Sequence, residues 1–298
     1  MPTPPAPDKH AVPADRLSAD SPATMKSHPA PPAPVAGAPS VSHMLFEVDG
    51  GIARLTVNRP EARNAMTWAM YQQLVEISEE VDRDDRIRVL VVTGAGGRAF
   101  VSGTDISQFP AFRGNPQAGI DYEERIDEVT GRLEAVAKPT IASIRGFCVG
   151  GGLGIAMTCD LRIASEDSRF AVPVIRLGNC LSMNNYARLV ALIGPARAKE
   201  MIFTARFVEA RESLAWGLVN EVVPPEVLEA RTRELAEAIA AAPPITLRAS
   251  KEAVRRVINQ LLPQNRGHDL IGMCYNSADF QEGVAAFLDK RAPRWTGR

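Results

Sequence analysis

The sequence predicts an α/β fold, because segments with the apolar period of strands alternate with segments that have the period of helices. Residues 52–57 alternate apolar and polar side chains, which is typical of a strand. Residues 87–93 are almost continuously apolar, as in a strand that is buried on both faces. Between them, a helix that follows Thr67 is predicted by the spacing of Met70, Leu74, Ile77 and Val81.

The alternation continues to about residue 223. Further strands are predicted at residues 140–144, at 161–164 and in the segment that ends at 223. Helices are predicted at residues 121–137, 150–157, 184–192 and 196–203. After Pro224 the chain is predicted to be helical, with helices at residues 226–241, 245–260, 266–275 and 279–289.

Composition and charge exclude several classes of function. The chain has 298 residues, of which 45% are hydrophobic and 23% are charged, and its formal net charge is −1. Such a charge gives no overall attraction to nucleic acid or to an anionic membrane, so we expect neither as a partner. The four cysteines form no CxxC pair and no cluster with histidine. We therefore expect no metal site and no disulfide framework, and a cytoplasmic location.

Three segments are predicted along the chain. Residues 1–43 are rich in Pro and Ala and lack the apolar centre of a secretory signal, so we expect a disordered extension. An upstream start codon that adds unused residues is an equal alternative. Residues 44–243 are predicted to form a ligand-binding core, and residues 244–298 a helical segment that mediates oligomerisation.

Two glycine-bearing junctions between a strand and a helix, at residues 99–106 and 146–154, carry the strongest functional signal. A helix N-terminus presents unpaired N–H groups and a partial positive charge. Glycine allows a ligand to approach that backbone closely. Two such junctions aimed at one point could stabilise the oxygen of a developing enolate. Taken singly, each junction could instead reflect close packing of a helix on a strand.

The order of the motifs resembles the enoyl-CoA hydratase/isomerase (crotonase) family over about residues 45–298. The matching segments are residues 58–65, 99–106, 138–139, 146–152, 160, 194 and 216–219. The resemblance implies a crotonase-like spiral of ββα units, with a C-terminal helical segment that forms trimers, so we expect a homotrimer or a homohexamer. It also implies an acyl-CoA substrate. Coenzyme A would be part of that thioester, and no cofactor would be bound permanently.

The resemblance assigns roles by position. The backbone N–H groups of Thr104 and Gly151 would form an oxyanion hole for the thioester carbonyl. The residues expected to contact coenzyme A are Ala62, Arg63, Ser102, Asp105, Ile106, Phe287 and Lys290. For Lys290, a solvated charge at the chain end is the alternative.

The sequence departs from the hydratase pattern at the catalytic positions. The resemblance places the two hydratase glutamates at Gly154 and Val174, so the two-glutamate mechanism is not predicted. An aspartate used by other branches corresponds to Ser182, which is a candidate catalytic residue or, alternatively, a helix N-cap. Other polar candidates near it are Arg176, Asn179, Cys180, Asn184, Asn185 and Tyr186.

The acidic helix predicted at residues 121–137 could supply a relocated acid or base. Its carboxylates are Asp121, Glu123, Glu124, Asp127 and Glu128. Glu124 is the candidate that we name as catalytic, with Asp127 as its alternative. A solvated face of the helix is the other interpretation of this charge run.

Three functions remain open at this stage. The first is hydration or isomerisation of an enoyl-CoA by a non-standard acid or base. The second is decarboxylation of an acyl-CoA, in which the oxyanion hole suffices and Arg176 or an asparagine binds the departing carboxylate. The third is acyl-CoA binding without catalysis, and a pure interaction module ranks below all three.

Overall fold

The computed structural model describes residues 42–107, 116–261 and 267–298. These described residues belong to one compact unit. The predicted extension at residues 1–43 lies outside the described residues, apart from its last two. The boundary that we predicted between residues 243 and 244 stays a prediction.

The structure contains the following elements. The strands are β1 (Met44–Asp49), β2 (Ile52–Val57), β3 (Val89–Gly94), β4 (Ala99–Val101), β5 (Thr140–Ile144), β6 (Phe147–Val149), β7 (Leu161–Ser165), β8 (Arg169–Ala171), β9 (Val208–Glu209) and β10 (Glu221–Val223). The helices are α1 (Trp68–Arg83), α2 (Pro116–Glu134), α3 (Gly151–Thr158), α4 (Met183–Thr204), α5 (Ala210–Trp216), α6 (Leu228–Ala240), α7 (Pro244–Leu261), α8 (His268–Tyr275) and α9 (Ala278–Leu288).

The larger sheet has the strand order β1-β2-β3-β5-β7-β10. Only β1 and β2 pair in antiparallel fashion, and the other neighbours are parallel. Helices cover both faces of this sheet. Leu90 and Val92 of β3 belong to the core cluster that includes Leu74 of α1, whereas Val89 and Val91 pack in a second cluster with α6. This explains why β3 is a continuous apolar run rather than an alternating one.

A smaller sheet has the order β4-β6-β8-β9, in which β4, β6 and β8 are parallel. Each of these three strands directly follows a strand of the larger sheet and precedes a helix. The units β3-β4-α2, β5-β6-α3 and β7-β8-α4 therefore repeat one pattern. The predicted spiral of ββα units is confirmed.

The structure agrees with the prediction of two helices in the segment labelled α4. They meet at a kink at Gly194, where the backbone is not helical, with φ at 77° and ψ at 161°. Proline follows at position 195, and it cannot donate a hydrogen bond to the preceding turn. The predicted break at Gly194-Pro195 is therefore confirmed, and α4 consists of two helices that join at this kink.

Candidate active site

The two glycine-bearing junctions lie side by side. Strands β4 and β6 are parallel neighbours, so their carboxyl ends open at the same edge of the smaller sheet. A Cβ atom built at Gly103 would lie 3.9 Å from the amide nitrogen of Gly151. A Cβ atom at Gly152 would lie 2.1 Å from the carbonyl oxygen of Val101, so only glycine allows these segments to approach.

Two backbone N–H groups at this edge have no backbone partner among the residues that the structure describes. The N–H of Met66 donates to the carbonyl of Gly103, and the N–H of Asp105 donates to the carbonyl of Met66, each at 2.9 Å. This bridge pairs the groups on either side of Thr104 and leaves the Thr104 N–H without a backbone partner in the described part of the chain. The N–H of Gly151, at the first position of α3, is also unpaired there, as expected for a first helical turn.

The side chain of Thr104 is fixed by two phenols. Its Oγ1 lies 2.9 Å from the Tyr71 hydroxyl and accepts a hydrogen bond of 2.8 Å from the Tyr122 hydroxyl. Both tyrosines are buried. Burial raises the pKa of Tyr71 to about 12 and raises the pKa of Tyr122 well above its ordinary value, so both phenols remain neutral. Thr104 is therefore held in one orientation.

A cavity of about 110 Å³ opens beside these donors. Its volume equals that of about four water molecules, counting roughly 30 Å³ for each. Its wall includes both junctions, helix α2 and residues 173–185. The lining residues that matter for chemistry are Thr104, Gly151, Glu123, Val174, Asn179 and Asn185.

Glu123 of α2 is the one carboxylate among the described residues that line this cavity. It is 4% exposed, and the hydroxyl of Tyr275 from α8 donates to its Oε1 at 2.7 Å. Burial raises the pKa of Glu123 to about 8. Asp127 also raises this pKa, whereas hydrogen bonds from Tyr275 and from the backbone of Ser182 lower it. The site thus combines two unpaired N–H donors with a buried carboxyl whose pKa lies near neutrality.

Comparison with known proteins identifies the family. The family profile described as Enoyl-CoA hydratase/isomerase matches residues 47–298. The chain belongs to the enoyl-CoA hydratase/isomerase family. Members of this family act on CoA thioesters and need no metal, and within the described residues no group of three His, Cys, Asp or Glu side chains could hold a metal ion.

Two relatives show the extent of the similarity. The chain is 34% identical over 253 residues to a short-chain-enoyl-CoA hydratase from Clostridium acetobutylicum, covering 84% of this chain and 96% of the relative. It is 36% identical over 258 residues to an (E)-benzylidenesuccinyl-CoA hydratase from Thauera aromatica, covering 85% and 99%.

Two solved structures share the fold over nearly their whole length. One is an enoyl-CoA hydratase/isomerase from Xanthobacter autotrophicus, 30% identical with a TM-score of 0.76, covering 85% of this chain and 98% of that one. The other is a methylmalonyl-CoA decarboxylase in complex with 2-nitronate-propionyl-CoA. It is 26% identical with a TM-score of 0.80, covering 87% and 100%.

The structure places two predicted catalytic side chains of this family member outside the cavity wall. Glu124 lies with its Oε1 3.1 Å from Nε2 of His268, and its neighbour Glu123 lines the cavity instead. Ser182 is the N-cap of α4, where its Oγ accepts from the N–H of Asn185 and donates to Asp127 at 2.5 Å. Glu124 thus contacts helix α8, and Ser182 caps helix α4. Because Glu123 lines the cavity and Glu124 does not, we replace Glu124 by Glu123 as the candidate acid or base.

Asp127, the alternative to Glu124, also makes structural contacts. It accepts the hydrogen bond from Ser182 and another from Nδ2 of Asn184 at 3.0 Å. It therefore ties α2 to the first turn of α4.

Some polar side chains of residues 176–186 line the cavity, and others form hydrogen bonds elsewhere in the protein. Asn179, Cys180 and Asn185 line the cavity. Arg176 does not, because it donates to the carbonyl of Ala205 at 2.8 Å. The hydroxyl of Tyr186 accepts a long hydrogen bond of 3.5 Å from the N–H of Leu181.

The amide of Asn185 occupies space beside Gly154. A Cβ atom at Gly154 would lie 3.4 Å from Asn185 Oδ1, so a longer side chain at residue 154 would have to displace this amide. Val174, the second position at which the resemblance implied a missing glutamate, is 7% exposed and contributes an apolar patch to the cavity wall.

Three residues predicted to contact coenzyme A cluster at one rim of the site. The N–H of Ser102 donates to the carbonyl of Arg63 at 3.2 Å, and its Oγ donates weakly to the carbonyl of Ala62 at 3.5 Å. The guanidinium of Arg63 lies 5.8 Å from the centre of the Phe147 ring. Ser102 also lines the cavity.

The other four predicted contacts lie in two places. Ile106 lines the cavity, and next to it Asp105 accepts a hydrogen bond of 2.7 Å from Arg59. Phe287 near the end of α9 is 55% exposed, and Lys290 just beyond α9 is also exposed. Neither of these two lines the cavity. No helix among the described residues is long and apolar enough to cross a membrane.

Proposed function

We propose that this chain catalyses proton transfer on an enoyl-CoA thioester, and that isomerisation of the double bond is the reaction the cavity supports best. The observation that carries the proposal is Glu123, a buried carboxyl in the same cavity as the N–H groups of Thr104 and Gly151. Isomerisation needs one group that removes a proton from one carbon and returns it to another. Hydration by two carboxylates needs a second acidic side chain, and the described cavity wall has only Glu123.

The proposed reaction proceeds in two proton transfers. The thioester oxygen accepts hydrogen bonds from the N–H groups of Thr104 and Gly151, which stabilise negative charge on that oxygen. The Glu123 carboxylate removes a proton from C2 of a 3-enoyl-CoA, and the electron pair of the C–H bond moves into a dienolate. Protonated Glu123 then returns the proton to C4, so that the double bond moves from C3–C4 to C2–C3. No atom is gained or lost.

Glu123 must be ionised to begin this reaction, which predicts a specific pH dependence. With a pKa of about 8, only about a tenth of Glu123 is ionised at pH 7. The value of kcat/KM for isomerisation should therefore rise about tenfold from pH 6 to pH 7, reach about half its maximum near pH 8 and become constant above about pH 9. A rate profile from pH 5.5 to 9.5 measures this, and a plateau already reached at pH 6 would contradict a base with this pKa.

Hydration belongs to the same proposed class, since several relatives bear the names of hydratases. The oxyanion hole would act in the same way. Protonated Glu123 would deliver a proton to C2 while water adds to C3, and the carboxylate left behind would take up the proton that the water loses. The one carboxyl would then have to assist both the water and the carbon.

Decarboxylation is a second candidate, favoured by two methylmalonyl-CoA decarboxylase structures with TM-scores of 0.80 and 0.77. The departing CO2 leaves its electron pair in the enolate, so no base is required. Protonated Glu123 would donate a proton to C2 afterwards, and the rate should fall as the pH rises through 8. Arg176 is not available to bind the carboxylate, because it is turned toward Ala205.

We also propose that coenzyme A follows the rim formed by Ala62, Arg63, Ser102, Asp105 and Ile106. Arg63 provides a local cation for its phosphates in a protein whose net charge is close to zero. Phe287 and Lys290 would contact the nucleotide end. A homotrimer or homohexamer is the assembly that we propose for the working enzyme.

A parallel turnover assay tests the proposed function. The purified protein is incubated with 3-butenoyl-CoA, crotonyl-CoA and methylmalonyl-CoA, the products are identified by mass spectrometry and chromatography, and binding of coenzyme A serves as the control. We expect conversion of 3-butenoyl-CoA to crotonyl-CoA, lost in E123Q and kept in E124Q, whose side chain lies outside the cavity wall. Release of CO2 alone would favour the decarboxylase. Binding of thioesters without any conversion would contradict an enzyme and favour an acyl-CoA-binding protein.

A further inference from the structure

One wall of the cavity contains an amide oxygen that accepts no hydrogen bond from the described residues. Oδ1 of Asn179 is buried and has no hydrogen-bond partner in the described part of the chain. Its Nδ2 donates to the Tyr275 hydroxyl at 3.5 Å, which is a long hydrogen bond. Buried acceptors in native proteins are nearly always paired, since an unmade hydrogen bond is costly. The Asn179 oxygen is therefore suited to a donor that a ligand brings.

A second amide in the same wall has an unused donor. Asn185 is 4% exposed, and its Oδ1 accepts a hydrogen bond of 3.3 Å from Arg188. An arginine can only donate, so this contact fixes which end of the amide is the oxygen. The guanidinium is itself held by Glu134 at 2.7 Å. Nδ2 of Asn185 then points away from Arg188, and it makes no hydrogen bond to the described residues.

The rest of the wall defines what kind of group these amides suit. Its described lining includes the apolar residues Ile126, Val174 and Leu177 but no lysine or arginine, and its only acidic residue is Glu123. A carboxylate on the acyl group would therefore enter the cavity without a cation to pair with, which is costly in a buried site. A hydroxyl group, by contrast, both donates and accepts a hydrogen bond.

We propose that the enzyme is selective for a short acyl-CoA whose acyl group carries an uncharged hydroxyl. This hydroxyl donates to Oδ1 of Asn179 and accepts from Nδ2 of Asn185. The cavity of about 110 Å³ has room for an acyl group of a few carbon atoms. The inference rests on the proposed acyl-CoA function, but it concerns recognition of the acyl group and not the chemistry performed on it.

Binding measurements test the inference without depending on turnover. Isothermal titration calorimetry compares butyryl-CoA, 3-hydroxybutyryl-CoA, 4-hydroxybutyryl-CoA and succinyl-CoA on the full-length protein. We expect at least one hydroxyacyl thioester to bind about tenfold more tightly than butyryl-CoA, the gain typical of a satisfied hydrogen bond. Equal binding of butyryl-CoA and both hydroxyacyl thioesters would overturn the inference and indicate that a water molecule pairs with Asn179. Tightest binding of succinyl-CoA would also overturn it.

Two variants and a matched control locate the preference. N179L and N185L have side chains of similar size without hydrogen-bonding groups. Each should reduce the affinity for the preferred hydroxyacyl thioester to about the affinity for butyryl-CoA. N184L is the control, because Asn184 bonds to Asp127 and does not line the cavity. If N185L fails to fold once Arg188 loses a partner, N179L decides the question, since the Asn179 side chain makes only one long hydrogen bond to the described residues. A preference that persists in N179L would overturn the inference.

The two proposals fail in different ways. Loss of all turnover in the product assay, with the hydroxyl preference intact, would leave this inference standing and remove the catalytic proposal. Turnover of 3-butenoyl-CoA without any preference for a hydroxyl would support the catalytic proposal and remove this inference. Failure of every CoA thioester to bind would contradict both.

Discussion

Glu123 and Glu124 are adjacent in the sequence but lie in different environments. Neighbouring residues of a helix point about 100° apart. Glu123 is 4% exposed and faces the cavity, whereas the side chain of Glu124 is 33% exposed and faces His268. The sequence contained a signal for this difference. Tyr122, Ile126, Val129 and Leu133 form an apolar stripe on α2, and Glu123 lies three residues before Ile126 on its edge.

The raised pKa of Glu123 predicts how the stability of the protein depends on pH. The folded state keeps this proton up to a pH of about 8, whereas the unfolded chain releases it near 4.5. The stabilising contribution is full below 4.5 and is lost as the pH rises to about 8. The free energy of unfolding should therefore fall by up to about 1.4 kcal/mol per pH unit in this window, relative to a chain without the group.

Urea denaturation of the wild type and of E123Q at pH 5.5, 6.5 and 7.5 measures this effect. Other titrating groups cancel in the difference between the two proteins. We expect E123Q to gain stability relative to the wild type at each step. A pH dependence that is the same in both proteins would show that Glu123 is not buried as a neutral acid.

At the scale of elements, the site depends on two short parallel strands. β4 and β6 have three residues each, and their pairing brings the Thr104 and Gly151 junctions together. Strands of this length contain too few residues for a period of two to be recognised. The strands β2, β3, β5 and β7 and most of the helices could thus be predicted from the sequence, but β1, α5 and the smaller sheet were not. The convergence of the two junctions was implied only by family resemblance.

Ser182 illustrates a different limit of prediction. A serine before a helix is typical of an N-cap, and this is the role that the structure gives it. Which polar side chains of residues 176–186 face the cavity depends on packing between α2, α4 and α8. Such contacts join residues far apart in the chain, as Tyr275 and Glu123 show, so local patterns do not reveal them.

The close packing around Gly151 at the start of α3 predicts that one added methyl group at this position will reduce activity. In G151A the new Cβ atom would lie 2.8 Å from the Tyr71 hydroxyl and 3.2 Å from Thr104 Oγ1, so these side chains or the junction itself must shift. We expect kcat/KM to fall about 100-fold, the loss typical of one oxyanion-hole donor. G131A in α2 is the control, because its Cβ atom would meet no atom within 4 Å. It should keep full activity and gain up to about 1 kcal/mol of stability, and equal activity of G151A and G131A would exclude the proposed oxyanion hole.

At the scale of the whole molecule, helix α7 leaves an apolar surface uncovered. Val254 and Val257 lie three residues apart on one face of α7 and are 59% and 61% exposed, whereas Ile245, which is 82% exposed, lies on another face of the helix. A groove of about 510 Å³ runs beside this helix, with Leu161, Leu192 and other apolar residues in its wall. Contiguous apolar surface of this kind is typical of an interface between subunits. It agrees with the prediction that residues 244–298 mediate oligomerisation, which remains to be measured.

Substitution of this surface tests the predicted assembly. The double variant V254D/V257D places two charges on the exposed face of α7 and should convert a trimer or hexamer into monomers in analytical ultracentrifugation. V48D, at an exposed position on β1, is the control and should keep the wild-type mass. A wild-type protein that is already monomeric would contradict the prediction.

Formation of a thioester enolate by Glu123 is tested most directly by hydrogen exchange at C2. A short acyl-CoA without a double bond, such as butyryl-CoA, is incubated with the protein in D2O, and loss of its C2 protons is followed by NMR. We predict exchange that depends on the enzyme, is lost at least 100-fold in E123Q and persists in E124Q. Exchange that is equally fast in E123Q, or the absence of any exchange by a wild-type protein that binds the thioester, would contradict the account.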